Sequence, residues 1–293
     1  MSALHNLILE LEEDRSLGEL HRFRERIEAL DSLDAYHLHR QFSALDSESI
    51  EAVLYRRARA VYAELEATNV KFYETIRDEI RRGAGPRTLL RWTIKSGRVG
   101  DALSLGTGES YDYLDELASG VLRFVKPDAQ IVELPAEMVP YQPTPARHIF
   151  DLIRRTQFTE RDVLIDLGSG MGHVPLLVSV CTGTRSIGIE VEAAYVNCAR
   201  QSAHELNLNN VTFIHQDARK ADLSCGTIFY LYTPFLGTIL RAVLDLLQRE
   251  AASREIRVCT FGPCTPSVGR ESWLESVNTA EAAGQIAVFR SRN

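Results

Sequence analysis

The sequence is first informative through what it has little of. No segment approaches the ~20 unbroken apolar residues of a membrane-spanning helix, which excludes a helical span. The N-terminal stretch MSALHNLILELEEDR has no basic region and no small-residue cleavage site, so no signal peptide is expected. Glycine and proline stand at 18 and 10 residues in 293, which excludes a collagenous or low-complexity chain. Positive charge is not in excess: 33 Lys and Arg face 40 Asp and Glu, for a formal net charge of -7. That balance argues against broad electrostatic binding to nucleic acid. The five cysteines, Cys181, Cys198, Cys225, Cys259 and Cys264, form no CxxC pair. An odd, scattered set fits a reducing, cytoplasmic setting, with Cys181 and Cys259 as small core residues. His37 and His39 lie two apart, but no Cys or acid pattern completes a metal site around them.

The apolar fraction of 45% suffices for a packed core. The length predicts about two domains at roughly 150 residues each. Character changes near residue 140, giving a helical N-terminal region over 1–140 and a second domain over 141–293. Helices are expected over 3–13, 17–30 and 33–43, after Pro86 through Ile94, and from Tyr111 to Phe124. A long helix, capped by Asp46 or Ser47, should run to Arg82 and stop at Gly83-Ala84-Gly85-Pro86. Its apolar positions, Ile50, Leu54, Val61, Leu65, Phe72 and Ile76, step by 4, 7, 4, 7, 4. That eleven-residue period keeps one stripe on one side, with a candidate break at Thr68-Asn69. The stripe has two candidate partners: the second domain, or another copy of the chain in a homo-oligomer. Arg81, Arg82, Arg87, Arg91, Lys95 and Arg98 read as a solvated helix face rather than a nucleic-acid patch, because acids interleave the rest of this half.

From about residue 144 strands alternate with helices. Strands are expected at Val163–Leu167, Ser186–Glu190, Val211–His215, Thr227–Tyr232 and Ile256–Phe261, with a final pair at Trp273–Val277 and Gln285–Arg290. Helices are expected at Val174–Cys181, Ala193–Leu206 and Leu236–Glu250. Strands separated by helices of this length imply a parallel sheet with right-handed crossovers.

The most informative run lies between residues 163 and 173. A strand delivers Asp166, then Gly168, Ser169, Gly170 and Gly172, and a helix begins at once. Glycines allow close backbone approach to a ligand, and a helix N-terminus offers unpaired N–H groups. A dinucleotide fingerprint would place its third glycine at position 173, which is His173. The observed spacing is D-x-G-x-G-x-G. A carboxylate ahead of the glycines repels a pyrophosphate and attracts an ammonium group. The ligand so described is a nucleoside with a zwitterionic tail, which S-adenosylmethionine fits. Glu190 ends the second strand, where an acid can bind both ribose hydroxyls. Asp217 and Ala218 follow the third, where a carboxylate can accept from the adenine amine. All three acids fall at carboxyl ends of neighbouring strands, where open α/β sheets bind ligands.

This ordered set resembles the class I S-adenosylmethionine-dependent methyltransferases over residues 140–293. The run 166–173 is similar to that superfamily's glycine motif, and the last two strands resemble its closing antiparallel pair. The resemblance implies an α/β fold with a Rossmann-like seven-stranded sheet behind an all-helical N-terminal region. The run 166–173, preceded by Tyr141-Gln-Pro-Thr-Pro145, is also similar to the Dot1-like and FAM173-like protein lysine methyltransferases. The extended prolines would hold a stiff edge over the cofactor, with Tyr141 and Thr144 touching its methionyl end.

Methyl transfer from a sulfonium needs an uncharged or anionic nucleophile held in line. In the superfamily the acceptor is presented after strand four. Amino methyltransferases carry Asp/Asn-Pro-Pro-Tyr/Phe there, whereas this chain reads Tyr230-Leu-Tyr232-Thr233-Pro234-Phe235. The proline and aromatic are kept and the acid or amide is lost, which weakens a nucleobase or glutamine-amide reading. Tyr232 and Phe235 can wall an amine channel. His173 opens a helix, so it reads as a cofactor-loop residue ahead of a base. Cys259 and Cys264 lack an identifiable histidine partner for thiol catalysis. Three readings stay open: methylation of an amine such as a protein lysine, methylation of a small metabolite under a helical lid, and a scaffold that binds S-adenosylmethionine without turnover. The helical region is expected to carry substrate choice.

Overall fold

The computed structural model describes residues 3–36, 49–93, 110–124, 137–139, 141–277 and 284–292. The chain forms two compact units, Met1–Asp78 and Glu79–Asn293.

The first unit is helical. It contains α1 (Ala3–Glu13), two short 3-10 turns, α2 (Phe23–Asp34) and most of α3 (Ile50–Arg81). The expected capping residues 46 and 47, the histidines 37 and 39, and the expected helix over 37–43 lie outside the described residues. The described cap is Ser49, whose Oγ accepts from the Ala52 N–H at 3.2 Å. The apolar stripe buries Val61, Leu65, Phe72 and Ile76, but its expected first member, Ile50, is 81% exposed. Ile50 opens the helix, so it sits at the end of the packed face. No break occurs at Thr68-Asn69; the helix is continuous through both. Asn69 is buried in the stripe and its Oδ1 accepts from Arg26 Nε at 2.7 Å. A buried amide that is hydrogen-bonded leaves the helical ladder undisturbed.

The second unit is built on a seven-stranded sheet in the order β3-β2-β1-β4-β5-β7-β6. The strands are β1 (Val163–Leu167), β2 (Arg185–Glu190), β3 (Val211–His215), β4 (Ile228–Tyr232), β5 (Arg257–Phe261), β6 (Leu274–Ser276) and β7 (Ala287–Ser291). The first five pair in parallel; β7 runs antiparallel to β5 and β6. The chain reverses its direction across the sheet between β1 and β4, so the tips of β1, β2 and β4 open on one crevice. The register sets Asp166 beside Gly188 and Tyr230. Val and Ile in these strands fill both faces, as a parallel sheet covered on two sides requires. Helices α7 (His173–Thr182), α8 (Ala193–Glu205) and α9 (Gly237–Ala251) supply the crossovers. On α9, Ile239, Leu240, Val243, Leu244 and Leu247 are buried at helical spacing against Ile165, Phe229 and Val258. Truncating one such side chain to Ala costs about 2–5 kcal/mol.

The sheet unit begins near residue 79 and not near the expected boundary at 140, because α4 (Gly85–Leu90) and α5 (Tyr113–Leu122) pack with it. Gly85 lies so close to α7 that a Cβ there would sit 2.7 Å from the Val180 carbonyl oxygen. On α5, Asp115 accepts from the Asp112 N–H and from the first N–H of α6 (Ala146–Thr156), at 2.7 Å each. One carboxylate thus closes the capping box of α5 and caps α6. The arginines of this stretch have local partners: Arg81 Nε donates to the Glu205 carbonyl at 2.8 Å, and Arg91 stands 3.8 Å from Glu79. Lys95 and Arg98 lie outside the described residues. Among the described residues no helix is long and apolar enough to cross a membrane, and no group of His, Cys, Asp and Glu could hold a metal ion.

Candidate functional site

The carboxyl ends of β1 to β4 open into a cavity of about 300 Å³. Asp166 is the one polar residue of β1 and is 4% exposed. Burial, and then the charge of Glu190, push its carboxyl well above the usual carboxylate range. The backbone then turns through Gly168, Gly170 and Gly172, all at positive φ. The requirement for glycine is steric as well as conformational at two of them. A Cβ on Gly168 would lie 2.3 Å from Pro234 Cβ, and one on Gly170 would lie 2.1 Å from the Tyr141 ring. The turn is therefore sandwiched between Pro234 and the Tyr141 loop. Gly172 is the N-cap of α7 and Gly170 donates its N–H to Glu190 Oε2 at 2.8 Å. Neither of these two lines the cavity, whereas Gly168 and Ser169 do. Ser169 Oγ is buried and has no hydrogen-bond partner among the described residues.

Glu190 at the tip of β2 also accepts from the Glu192 N–H at 2.8 Å. Burial raises its carboxyl; the Glu192 and Gly170 N–H groups oppose that shift. Two backbone donors thus orient a buried acid toward the space above the glycine turn. Asp217 follows β3 and caps the short turn that begins at Ala218. Arg219 engages both of its oxygens, with Nε 3.0 Å from Oδ1 and Nη2 2.6 Å from Oδ2. That guanidinium holds the carboxyl below its usual value. Both Asp217 and Ala218 line the cavity.

Tyr141 covers the glycine turn from outside. Its hydroxyl lies 3.0 Å from His173 Nδ1, and its ring is 4.9 Å from that of Tyr195. His173 packs against the Phe124 ring at 4.3 Å between centroids, the two planes tilted by 43°. Burial drives the imidazole down to about 3, so His173 is neutral throughout the physiological range and is too weak a base to remove a proton from an ammonium. Thr144 Oγ1 and Tyr230 Oη share a hydrogen bond at 3.0 Å deep in the cavity. Burial holds the Tyr230 phenol well above its usual value, in its protonated form.

A further part of the cavity wall comes from Tyr232, Thr233, Pro234, Phe235 and Pro263. Thr233 adopts φ +39°, left-handed backbone that is an outlier for a β-branched residue. Such a conformation costs on the order of 1–3 kcal/mol and persists only when surrounding contacts impose it. Here they do: Thr233 Oγ1 donates to the Phe261 carbonyl at 3.3 Å and accepts from the Cys264 N–H at 3.1 Å. Tyr232 packs on Phe261 at 4.9 Å, and Phe235 is buried. Cys259 and Cys264 are buried thiols, held above their usual values by burial.

The cavity therefore gathers Asp166, Glu190 and Asp217, the Tyr141 loop and the 232–235 segment within one unit. Sequence reasoning missed Met138, Gln142, Glu192, Tyr195 and Pro263, which also line it. Glu192, which follows Glu190 by two and caps α8, carried a readable positional signal. Met138 comes from a stretch without periodicity and carried none.

Residues 139–224 match a family model described as histone methylation protein DOT1. No curated protein matches the chain. Among solved structures, an RNA methyltransferase from Salinibacter ruber in complex with S-adenosyl-L-homocysteine is similar at 27% identity, over 51% of this chain and 92% of that one, with a TM-score of 0.42. A putative methyltransferase from Escherichia coli is similar at 16% identity, over 53% and 90%, with a TM-score of 0.43. A human methyltransferase 10 domain containing protein is similar at 13% identity, over 60% and 93%, with a TM-score of 0.39.

Proposed function

We propose that this chain, a class I S-adenosylmethionine-dependent methyltransferase, methylates an amine, with a protein lysine as the first candidate. The observation that carries this reading is the division of charge within the cavity. Carboxylates stand at the tips of β1, β2 and β3, while the β4 side offers Tyr232, Pro234 and Phe235, with Ile239 and Pro263. The match of residues 139–224 to a family named for histone methylation supports a protein acceptor.

The residues fit the cofactor. Asp166 has no hydrogen-bond donor among the described residues, and a buried carboxylate of that kind suits an ammonium group. Ser169 Oγ is an unpartnered hydroxyl in the same wall. Glu190 would take the ribose hydroxyls. Asp217 retains lone pairs beside its arginine for an exocyclic amine, and Ala218 would lie along the adenine edge. Tyr141 and Thr144 would flank the methionyl end, with Gly168, Gly170, Gly172 and His173 shaping the turn beneath it. S-adenosylmethionine, when bound, supplies an electrophilic methyl group on a sulfonium. The protein's part is to bring an unprotonated amine to that carbon in line, and much of the rate of such a step comes from positioning. An amine entering between Tyr232, Pro234 and Phe235 would lose water there, and desolvation favours its uncharged form.

Titration calorimetry with S-adenosylmethionine and S-adenosylhomocysteine tests the cofactor assignment, and absence of binding would sink it. Labelled methyl transfer to lysine-containing peptide pools, run beside metabolite extracts, tests the acceptor. Labelling confined to the extracts would move the reading to a small metabolite. Binding without transfer to either would leave a scaffold. The helical unit is proposed to carry substrate choice or self-association, and sedimentation of the full chain tests the second role.

A further inference from the structure

A short segment outside the acceptor wall is tied to it by an unusual set of bonds. The Glu137 carbonyl accepts from the Leu236 N–H at 2.8 Å, and the Val139 N–H donates to the Pro234 carbonyl at 3.3 Å. Met138 and Phe235 form an isolated antiparallel bridge between them. The Glu137 side chain then reaches past Gly237 to the start of α9. Its Oε2 accepts from the Thr238 N–H at 3.0 Å, the Thr238 hydroxyl at 2.6 Å and the Ile239 N–H at 3.1 Å. The two N–H groups are among those a helix leaves unpaired at its N-terminus. The cap is therefore supplied from about a hundred residues away, by the segment that also lines the cavity through Met138 and Val139.

Gly237 carries an independent trace of the same contact. Its φ is +55°, and a Cβ there would meet Glu137 Oε1 at 2.5 Å. The Thr238 hydroxyl and the two N–H groups also hold the Glu137 carboxyl below its usual value, so it stays charged at neutral pH. Neither Glu137 nor the N-terminus of α9 falls inside the 139–224 stretch that matches the DOT1 description. The arrangement belongs to the part of the chain that this likeness does not cover.

We propose that Glu137 is a positioning residue for methyl transfer: by capping α9 it fixes the 233–235 turn against the segment at 138–139 and so sets the distance between acceptor wall and glycine turn. The proposal rests on the methyltransferase reading above. Two links carry the coupling. Pro234 lies over Gly168 so closely that no side chain fits between them, and the Pro234 carbonyl is bonded to Val139. A turn held at both points cannot drift relative to the cofactor loop, and a misplacement of about 1 Å at a reacting centre can cost on the order of a hundred-fold in rate.

The test uses the full chain as Glu137→Ala, Glu137→Gln and Gly237→Ala. Three quantities are read: S-adenosylhomocysteine affinity by calorimetry, labelled transfer to a lysine-containing peptide pool, and amide exchange at residues 233–239. For Glu137→Ala we expect affinity within about two-fold of wild type, transfer reduced on the order of ten-fold and chiefly in kcat, and faster exchange at Thr238 and Ile239. Glu137→Gln should recover most of the transfer, because its amide oxygen accepts the same N–H bonds. Gly237→Ala should resemble Glu137→Ala, and it replaces that variant if the latter fails to fold. Unchanged transfer in Glu137→Ala overturns the proposal. So does a loss of cofactor affinity in step with transfer, or a Gln variant as impaired as Ala. If the wild type transfers methyl to nothing, the amine reading fails, and exchange alone decides the latch: unaccelerated exchange at Thr238 and Ile239 overturns it.

Discussion

At the tips of β1 to β3 the cavity presents Asp166, a buried carboxylate with no donor among the described residues, and Ser169, a buried hydroxyl with no partner there. At the tips of β4 and β5 the buried polar groups are bonded within the protein: Thr233 to Phe261 and Cys264, and Tyr230 to Thr144. The first half holds polar groups whose burial is costly until a ligand completes them. The second is a braced wall, and its strain at Thr233 is sustained by its own hydrogen bonds. Substitutions should therefore act with opposite sign in the two halves. At Asp166 and Ser169 they weaken binding while relieving the folded protein. On the acceptor side they slow transfer and weaken the fold while leaving binding intact.

The largest effect is expected at Asp166. Asp166→Asn should lower S-adenosylhomocysteine affinity about 30-fold, or about 2 kcal/mol, because a charge-assisted bond to the ligand ammonium is lost. The ligand-free protein should respond the other way. The folded carboxyl lies above the unfolded value of about 3.9, so the folded state binds this proton more tightly. Stability then falls as pH rises from about 4 until the folded group ionises. Asparagine cannot ionise, so denaturant melts of the variant should lose that decline and show higher stability at neutral pH. A variant that kept its affinity for S-adenosylhomocysteine would remove Asp166 from the cofactor half.

Thr233→Ala is the mirror experiment. It deletes the hydroxyl that bonds both Phe261 and Cys264 and leaves the +39° backbone without its brace. We expect a stability loss of about 1–2 kcal/mol and transfer reduced on the order of ten-fold, with S-adenosylhomocysteine affinity unchanged. Calorimetry beside transfer kinetics separates the two. A parallel loss of cofactor affinity would show that the halves are not independent.

The same division explains what was legible beforehand. The cofactor half announces itself because its constraints are local and stereotyped: a strand, an acid, glycines at fixed spacing, and a further acid at each following strand tip. Val211–His215 and Val163–Leu167 agree with the expected strands residue for residue, and the others shift by one or two. Two features escaped because they depend on distant parts of the chain. Glu137 has meaning only once α9 is brought to it, a hundred residues on. The allocation of α4 and α5 to the sheet unit rests on contacts such as Gly85 against Val180, which no periodicity encodes. Ile50 shows the same limit on a smaller scale: its spacing fits the stripe, but at the helix terminus it remains exposed.

Ser169 offers the smallest effect and the sharpest sign. Its main chain is held independently of its side chain, since the Ser169 N–H donates to the Ile189 carbonyl at 3.0 Å. Ser169→Ala therefore removes the hydroxyl and little else. A Cβ on Gly188 would lie 2.6 Å from that oxygen, so the adjacent strand presses on it without offering a partner. Removing an unsatisfied buried hydroxyl should stabilise the ligand-free protein by about 1 kcal/mol. Losing one neutral hydrogen bond to the ligand should weaken S-adenosylhomocysteine by about five-fold, near 1 kcal/mol. Melting without ligand should then shift upward, while the further upward shift on adding S-adenosylhomocysteine shrinks. If both measurements moved downward, the hydroxyl would have a structural partner in the folded protein, and the contrast between the two halves would rest on Asp166 alone.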